Sequence, residues 1–158
     1  MTTYVLKRIQ KEIKVDWDNN TTNLIFYKHF HNGVCNFIVW ENVLDFHHPI
    51  IQLSINFNNS RYPFTPPKTV IVNNLNYLDL VKYNSNNHKD LKRISGQKCL
   101  CCSSLLCRKN WNVNKSILDI VTEVIENIKL KQRIIEIIHA RKITHIHFGT
   151  YIPIVEFL

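Results

Sequence analysis

The stretch Arg61-Tyr62-Pro63-Phe64-Thr65-Pro66-Pro67-Lys68 decides how the chain is read. Its prolines fix φ and remove backbone donors, so the segment cannot pair in a sheet and must run as a turn between strands. Before it, residues 23–30, 34–40 and 50–57 are rich in β-branched and aromatic side chains, as strands are. The first two runs are joined through His31-Asn32-Gly33, and Asn-Gly is a strong hairpin signal. In the third, Ile51, Leu53, Ile55 and Phe57 alternate with Gln52, Ser54 and Asn56, giving one apolar and one polar face. After the turn, residues 69–72 form a fourth run. A four-stranded antiparallel meander, covered on one side, is the expectation.

The cover comes from both ends of the chain. Residues 3–15 set Leu6, Ile9 and Ile13 on one helical face, with Lys7, Arg8, Lys11 and Lys14 around the other. Residues 16–22 are polar and read as a loop. Ser116 is a predicted N-cap and Asp119 lies in the first turn, opening a helix over 116–127 with a stripe of Ile117, Ile120, Val121, Val124 and Ile125. A further helix is predicted over 129–142, with Leu130, Ile134, Ile137 and Ile138 inward and Lys131, Arg133, Arg141 and Lys142 outward. Residues 144–158 follow no pattern that assigns them. The class is α/β in the broad sense, more narrowly α+β: an N-terminal helix, a four-stranded meander and C-terminal helices in one domain of 158 residues.

Composition narrows the function. No run reaches the roughly 18 apolar residues of a membrane span, and the N-terminus lacks a signal-peptide layout, so an intracellular protein, cytoplasmic or nuclear, is expected. The charge of +8 favours an acidic partner, with no element that would read a specific nucleic acid and no membrane role.

Four of the five cysteines fall within nine residues, Cys99 to Cys107. An odd count with this crowding does not fit a secreted disulfide framework. Three uses remain open: core packing, a metal site, or a nucleophile. For the metal, Cys99, Cys102 and Cys107 follow Cys-x2-Cys-x4-Cys, with His88 as a fourth zinc ligand. No second well-spaced pair accompanies them, so no cofactor is the primary expectation and zinc the alternative. Cys35, inside a strand, is assigned to packing.

The order of helix, meander, Tyr62-Pro63-Phe64-x-Pro66-Pro67-Lys68 and strand resembles the ubiquitin-conjugating enzymes, which carry Tyr-Pro-Phe-x-Pro-Pro-Lys at this place. Leu6-Lys7-Arg8-Ile9-Gln10-Lys11-Glu12 is similar to that family's first helix. His88-Lys89-Asp90-Leu91 stands where the family has His-Pro-Asn-Ile, Gly96-Gln97-Lys98-Cys99-Leu100 where it has Gly-x-Ile-Cys-Leu, and Trp111 where it has Trp-Ser-Pro. The match covers about residues 3–127 and leaves 128–158 as a divergent extension; it suggests a divergent member of viral type.

The resemblance implies a transferase in an ATP-dependent pathway, carrying ubiquitin or a similar modifier as a cysteine thioester and passing it to a substrate lysine or a ligase. It makes Cys99 the nucleophile; counting back from Trp111 instead selects Cys102, or Cys101. It puts His88 in a structural role and Asp90 where the family's Asn donates an amide hydrogen bond, which an ionised Asp cannot do. Asn86 or Asn87 could supply the amide if the loop is rethreaded. Lys7, Arg8 and Lys11 are expected to meet the activating enzyme, and Phe64, Asn112 and Val113 a ligase. A non-catalytic variant of the same fold is the alternative.

Overall fold

The computed structural model describes residues 2–14, 24–41, 51–82, 93, 94, 96 and 100–146. Helix α1 spans Thr3–Lys14, and strands β1 (Leu24–His31), β2 (Val34–Glu41), β3 (Ile51–Asn56), β4 (Thr69–Val72) and β5 (Leu75–Asn76) follow. They form one antiparallel sheet in the order β1-β2-β3-β4-β5. Helices α2 (Tyr77–Leu80), α3 (Leu100–Ser103) and α4 (Ile117–Ile146) complete the described chain. The α+β class is as expected. The predicted loop over 16–22 lies outside the described residues.

The hairpin turns where Asn32 and Gly33 both take positive φ, the mirror-image turn that matches strand twist. Gly33 is required: a Cβ there would lie 2.1 Å from Asn58 Oδ1, and the Asn58 amide in turn donates to the Asn32 carbonyl at 2.9 Å. The four-stranded expectation is corrected to five. Asn73 and Asn74 adopt φ of 49° and 67°, making a second such turn without glycine and adding β5. Asn73 tightens it by accepting from the Gln52 amide at 2.8 Å.

Alternation along β3 is as read, with Ile51, Leu53 and Ile55 buried. They pack with Cys35, Phe37, Val39, Phe57, Val70 and Val72 beneath α1 and α4. The packing role given to Cys35 holds, since its side chain is fully buried. On α1 the buried face is Val5 and Ile9, with Ile13 packed at its edge; Leu6, expected on this face, is half-exposed and Val5 is buried in its place.

The two predicted C-terminal helices are one. Residues 117–146 contain neither Gly nor Pro, so nothing ends the helix near 128. Its start is as expected: Ser116 Oγ accepts from the Asp119 amide at 3.2 Å, while Asp119 Oδ2 accepts from the Ser116 amide and hydroxyl at 2.7 Å each. Burial raises the Asp119 carboxyl, but the Ser116 bonds and nearby Lys115 outweigh it and hold the group below the ordinary aspartate range. The stripe from Ile117 to Ile125 is buried; farther along, Ile134 is fully buried, whereas Leu130, Ile137 and Ile138 are half-exposed. Lys131, assigned to the outside, bends inward and donates to the Leu80 carbonyl.

Cys35, Tyr62 and Tyr77 are fully buried. Burial pushes all three groups well above their ordinary range, helped by the Glu12 carboxylate for Cys35 and Tyr62 and by Glu123 for Tyr77. The folded chain therefore keeps them protonated where the unfolded chain ionises. Their stabilisation is complete below the unfolded values and is lost as pH rises toward the folded ones. Urea unfolding should show this loss starting near about pH 8.5 and steepening past about pH 10, by up to about 1.4 kcal/mol per pH unit per group. Tyr62→Phe with Tyr77→Phe should flatten the slope above about pH 10; an unchanged slope would place the alkaline sensitivity elsewhere.

Candidate functional site

The cysteine segment is anchored at both ends. Leu100 is fully buried and seats α3 on the core. Beyond α3, buried Ser104 donates through Oγ to Glu123 Oε1, and the Leu105 amide donates to Glu123 Oε2 at 2.6 Å. Tyr77 OH also donates to Glu123 Oε1, at 2.9 Å, and itself accepts from the Asn127 amide at 2.6 Å. One carboxylate on α4 thus holds the cysteine segment and α2 together. Asn110 closes the loop, donating to the Cys102 and Ser104 carbonyls at 2.8 and 2.9 Å.

The same loop is tied to the proline turn. Trp111 Nε1 donates to the Pro63 carbonyl at 2.7 Å, and its ring lies 6.0 Å from that of Tyr62. The Tyr62–Pro63 bond is cis. On the outside of this junction Phe64 is 69% exposed and Val113 43%, with Asn112 exposed beside it. Phe64 is therefore a surface group and not part of the core. Two segments far apart in sequence, each with an exposed apolar side chain, are joined here by an indole and a carbonyl.

Cys102 is an exposed free thiol and Cys107 a half-buried one. Cys101 is half-buried, with its sulfur 3.9 Å from that of Cys102. Cys99, His88, Asp90, Asn86 and Asn87 lie outside the described residues. Among the described residues no three His, Cys, Asp or Glu side chains converge to hold a metal. The zinc alternative draws two of its four ligands, Cys99 and His88, from outside them. On α1, Lys7 and Lys11 stand exposed, while Arg8 turns back to pair with Glu12. No helix of the described residues is long and apolar enough to cross a membrane.

Sequence reading missed Glu12, Glu123, Tyr77 and Asn110. The available signal was a carboxylate bordering an apolar stripe, Glu12 between Ile9 and Ile13 and Glu123 between Val121 and Val124. Such a group is costly unless bonded, and so calls for donors. Compared with known proteins, the chain matches no family model, no curated protein and no solved structure.

Glu123→Ala removes the acceptor shared by Ser104, Leu105 and Tyr77. It should lower unfolding free energy by about 2 kcal/mol or more, since buried donors lose a charged partner. Hydrogen exchange at the Leu105 amide should rise more than exchange at the Leu53 amide in β3. Equal acceleration at both would mean that Glu123 supports the whole fold and does not specifically hold the cysteine segment.

Proposed function

We propose that the chain is a divergent ubiquitin-conjugating enzyme with that family's fold, carrying ubiquitin or a ubiquitin-like modifier as a thioester on Cys99. The observation that carries this reading is the Trp111 to Pro63 bond. It joins the Tyr-Pro-Phe-x-Pro-Pro-Lys turn to the cysteine segment, the two stretches on which the resemblance rests. The sheet covered by α1 and α4 and the exposed Phe64 and Val113 support it further.

In the first step the Cys99 thiolate attacks the thioester carbon at the modifier's C-terminus. A carbon–sulfur bond forms to Cys99 and the activating enzyme's cysteine leaves as a thiolate. The exchange is between sulfurs of similar leaving ability, so it needs access and alignment more than acid–base groups. In the second, a lysine amine attacks the same carbon, the Cys99 thiolate leaves, and the amine's proton passes to solvent. A ligase cysteine can replace the amine. Lys7 and Lys11 supply an exposed basic face for the activating enzyme, and Phe64 with Val113 an apolar contact for a ligase. Cys102, exposed and free, is the competing nucleophile, with the half-buried Cys101 next to it as the second alternative.

Incubation with an activating enzyme, ATP and ubiquitin should give a thiol-sensitive adduct that is lost in Cys99→Ala. An adduct that survives there and vanishes in Cys102→Ala reassigns the nucleophile. No adduct, with ubiquitin still bound, favours the non-catalytic reading. The substitution of Asp90 for the family's Asn is what favours that second reading, because a carboxylate near a developing oxyanion raises the barrier. Asp90→Asn should accordingly speed discharge to free lysine by about tenfold or more, as an oxyanion donor is worth roughly 2.7 to 4 kcal/mol elsewhere. Discharge to a small thiol should change less. Unchanged lysine discharge, with loss of it in Asn86→Ala or Asn87→Ala, would give the amide role to those residues instead.

A further inference from the structure

The outer face of β1 carries a group that conjugation does not use. Tyr27, His29 and His31 alternate outward along this strand, the first in the sheet order, while Lys28 and Phe30 turn toward the other face. The His29 and His31 rings lie 6.3 Å apart between centroids, with planes inclined by 30°. Both are exposed, and exposed Asn36 on β2 stands opposite His29 in the register.

We propose that His29 and His31 form a two-imidazole site for a borderline divalent transition ion of the Zn2+ and Ni2+ class. Neutral ring nitrogens are the donors such ions prefer, whereas Mg2+ and Ca2+ take oxygen. With metal–nitrogen bonds of about 2.0–2.1 Å, two imidazoles on one tetrahedral ion place their centroids about 5 Å apart. The rings need close by only about 1 Å, which small χ rotations of exposed side chains supply. Their backbones are already fixed by pairing with β2. His31 also abuts a turn braced by the Asn58 amide on the Asn32 carbonyl and by the Phe57 amide on the Gly33 carbonyl at 2.8 Å. On binding, two metal–water bonds are replaced by two metal–nitrogen bonds, and water fills the remaining positions. The outward-facing amide of Asn36 is the nearest side chain across the register that could hydrogen-bond such a water.

The cluster at Cys99 to Cys107 could also take these ions, so the test must report position. Paramagnetic Ni2+ titrated into the full chain, followed by the histidine ring signals in NMR, provides that, with assignments from single His→Ala variants. The expected result is that the His29 and His31 signals broaden together at substoichiometric Ni2+, ahead of the other histidines. Zn2+ should reverse the broadening, and millimolar Mg2+ should cause none. His29→Ala should weaken the effect at His31 by at least about tenfold, because the second ligand then no longer binds as an intramolecular event. His29→Asn is a second variant, polar and small enough for the strand, and should behave alike. Broadening of His29 and His31 after the other histidines, or an unchanged titration midpoint at His31 in a folded His29 variant, would overturn the proposal.

Discussion

The carboxylate of Glu12 is the point at which three distant parts of the chain are held. One oxygen accepts from Tyr62 OH at 2.6 Å and from the Ile117 amide at 2.8 Å, and the other pairs with Arg8. The Ile117 bond satisfies an orphan donor at the start of α4, where a negative charge also complements the helix dipole. The Tyr62 bond fixes the proline turn against α1. Losing this carboxylate would leave a fully buried phenol and a helix end short of a partner, so the cost is more than one ordinary hydrogen bond. Glu123 repeats the device about 1.7 turns further along α4, for the cysteine segment and α2. Two carboxylates, one from each covering helix, thus set the frame within which Trp111 can reach Pro63.

That frame bears on function through position alone. The proposed transfer between thiols asks little of neighbouring acids and bases; it requires a cysteine held at the surface and docking faces at fixed places around it. Anchoring Leu100 in the core while Cys102 stays in solvent is how a short helix can do the first. For the second, the junction of proline turn and Trp111 loop exposes Phe64 and Val113 next to a hydrogen-bonded base. The His29 and His31 pair sits on the open face of the sheet, which neither helix covers, and its chemistry is independent of this arrangement.

What could be read from the sequence was local. The proline turn, the Asn-Gly hairpin, the alternation in β3 and the Ser116 and Asp119 cap each depend on residues a few positions apart, and each stands in the structure as expected. The errors have physical causes. Asn73-Asn74 forms a turn usually signalled by glycine, which hid β5. The expected break at residue 128, between the helices over 116–127 and 129–142, has no Gly or Pro to enforce it. On α1, Ile9 and Ile13 face the core as read, and only Leu6 gives its expected place to Val5, on a helix that buries a narrow face. Glu12 and Glu123 border apolar stripes, but their partners could not be read locally, lying 50 and 105 residues away in one case and 46 and 18 in the other. For the nucleophile, the sequence offers the resemblance at Gly96 to Leu100 for Cys99 and the spacing to Trp111 for Cys102 or Cys101, since four clustered thiols admit several uses.

The proposed function requires that Cys99, and no other residue of this segment, accepts the modifier. Replacing that sulfur with oxygen turns the transient thioester into a stable ester, and peptide mass spectrometry then reports the atom that was loaded. With Cys99→Ser, an activating enzyme, ATP and ubiquitin, the account predicts an alkali-labile, thiol-resistant adduct joining the modifier's C-terminus to residue 99. A modifier found on Cys102, or on lysines alone, in that same protein would contradict it.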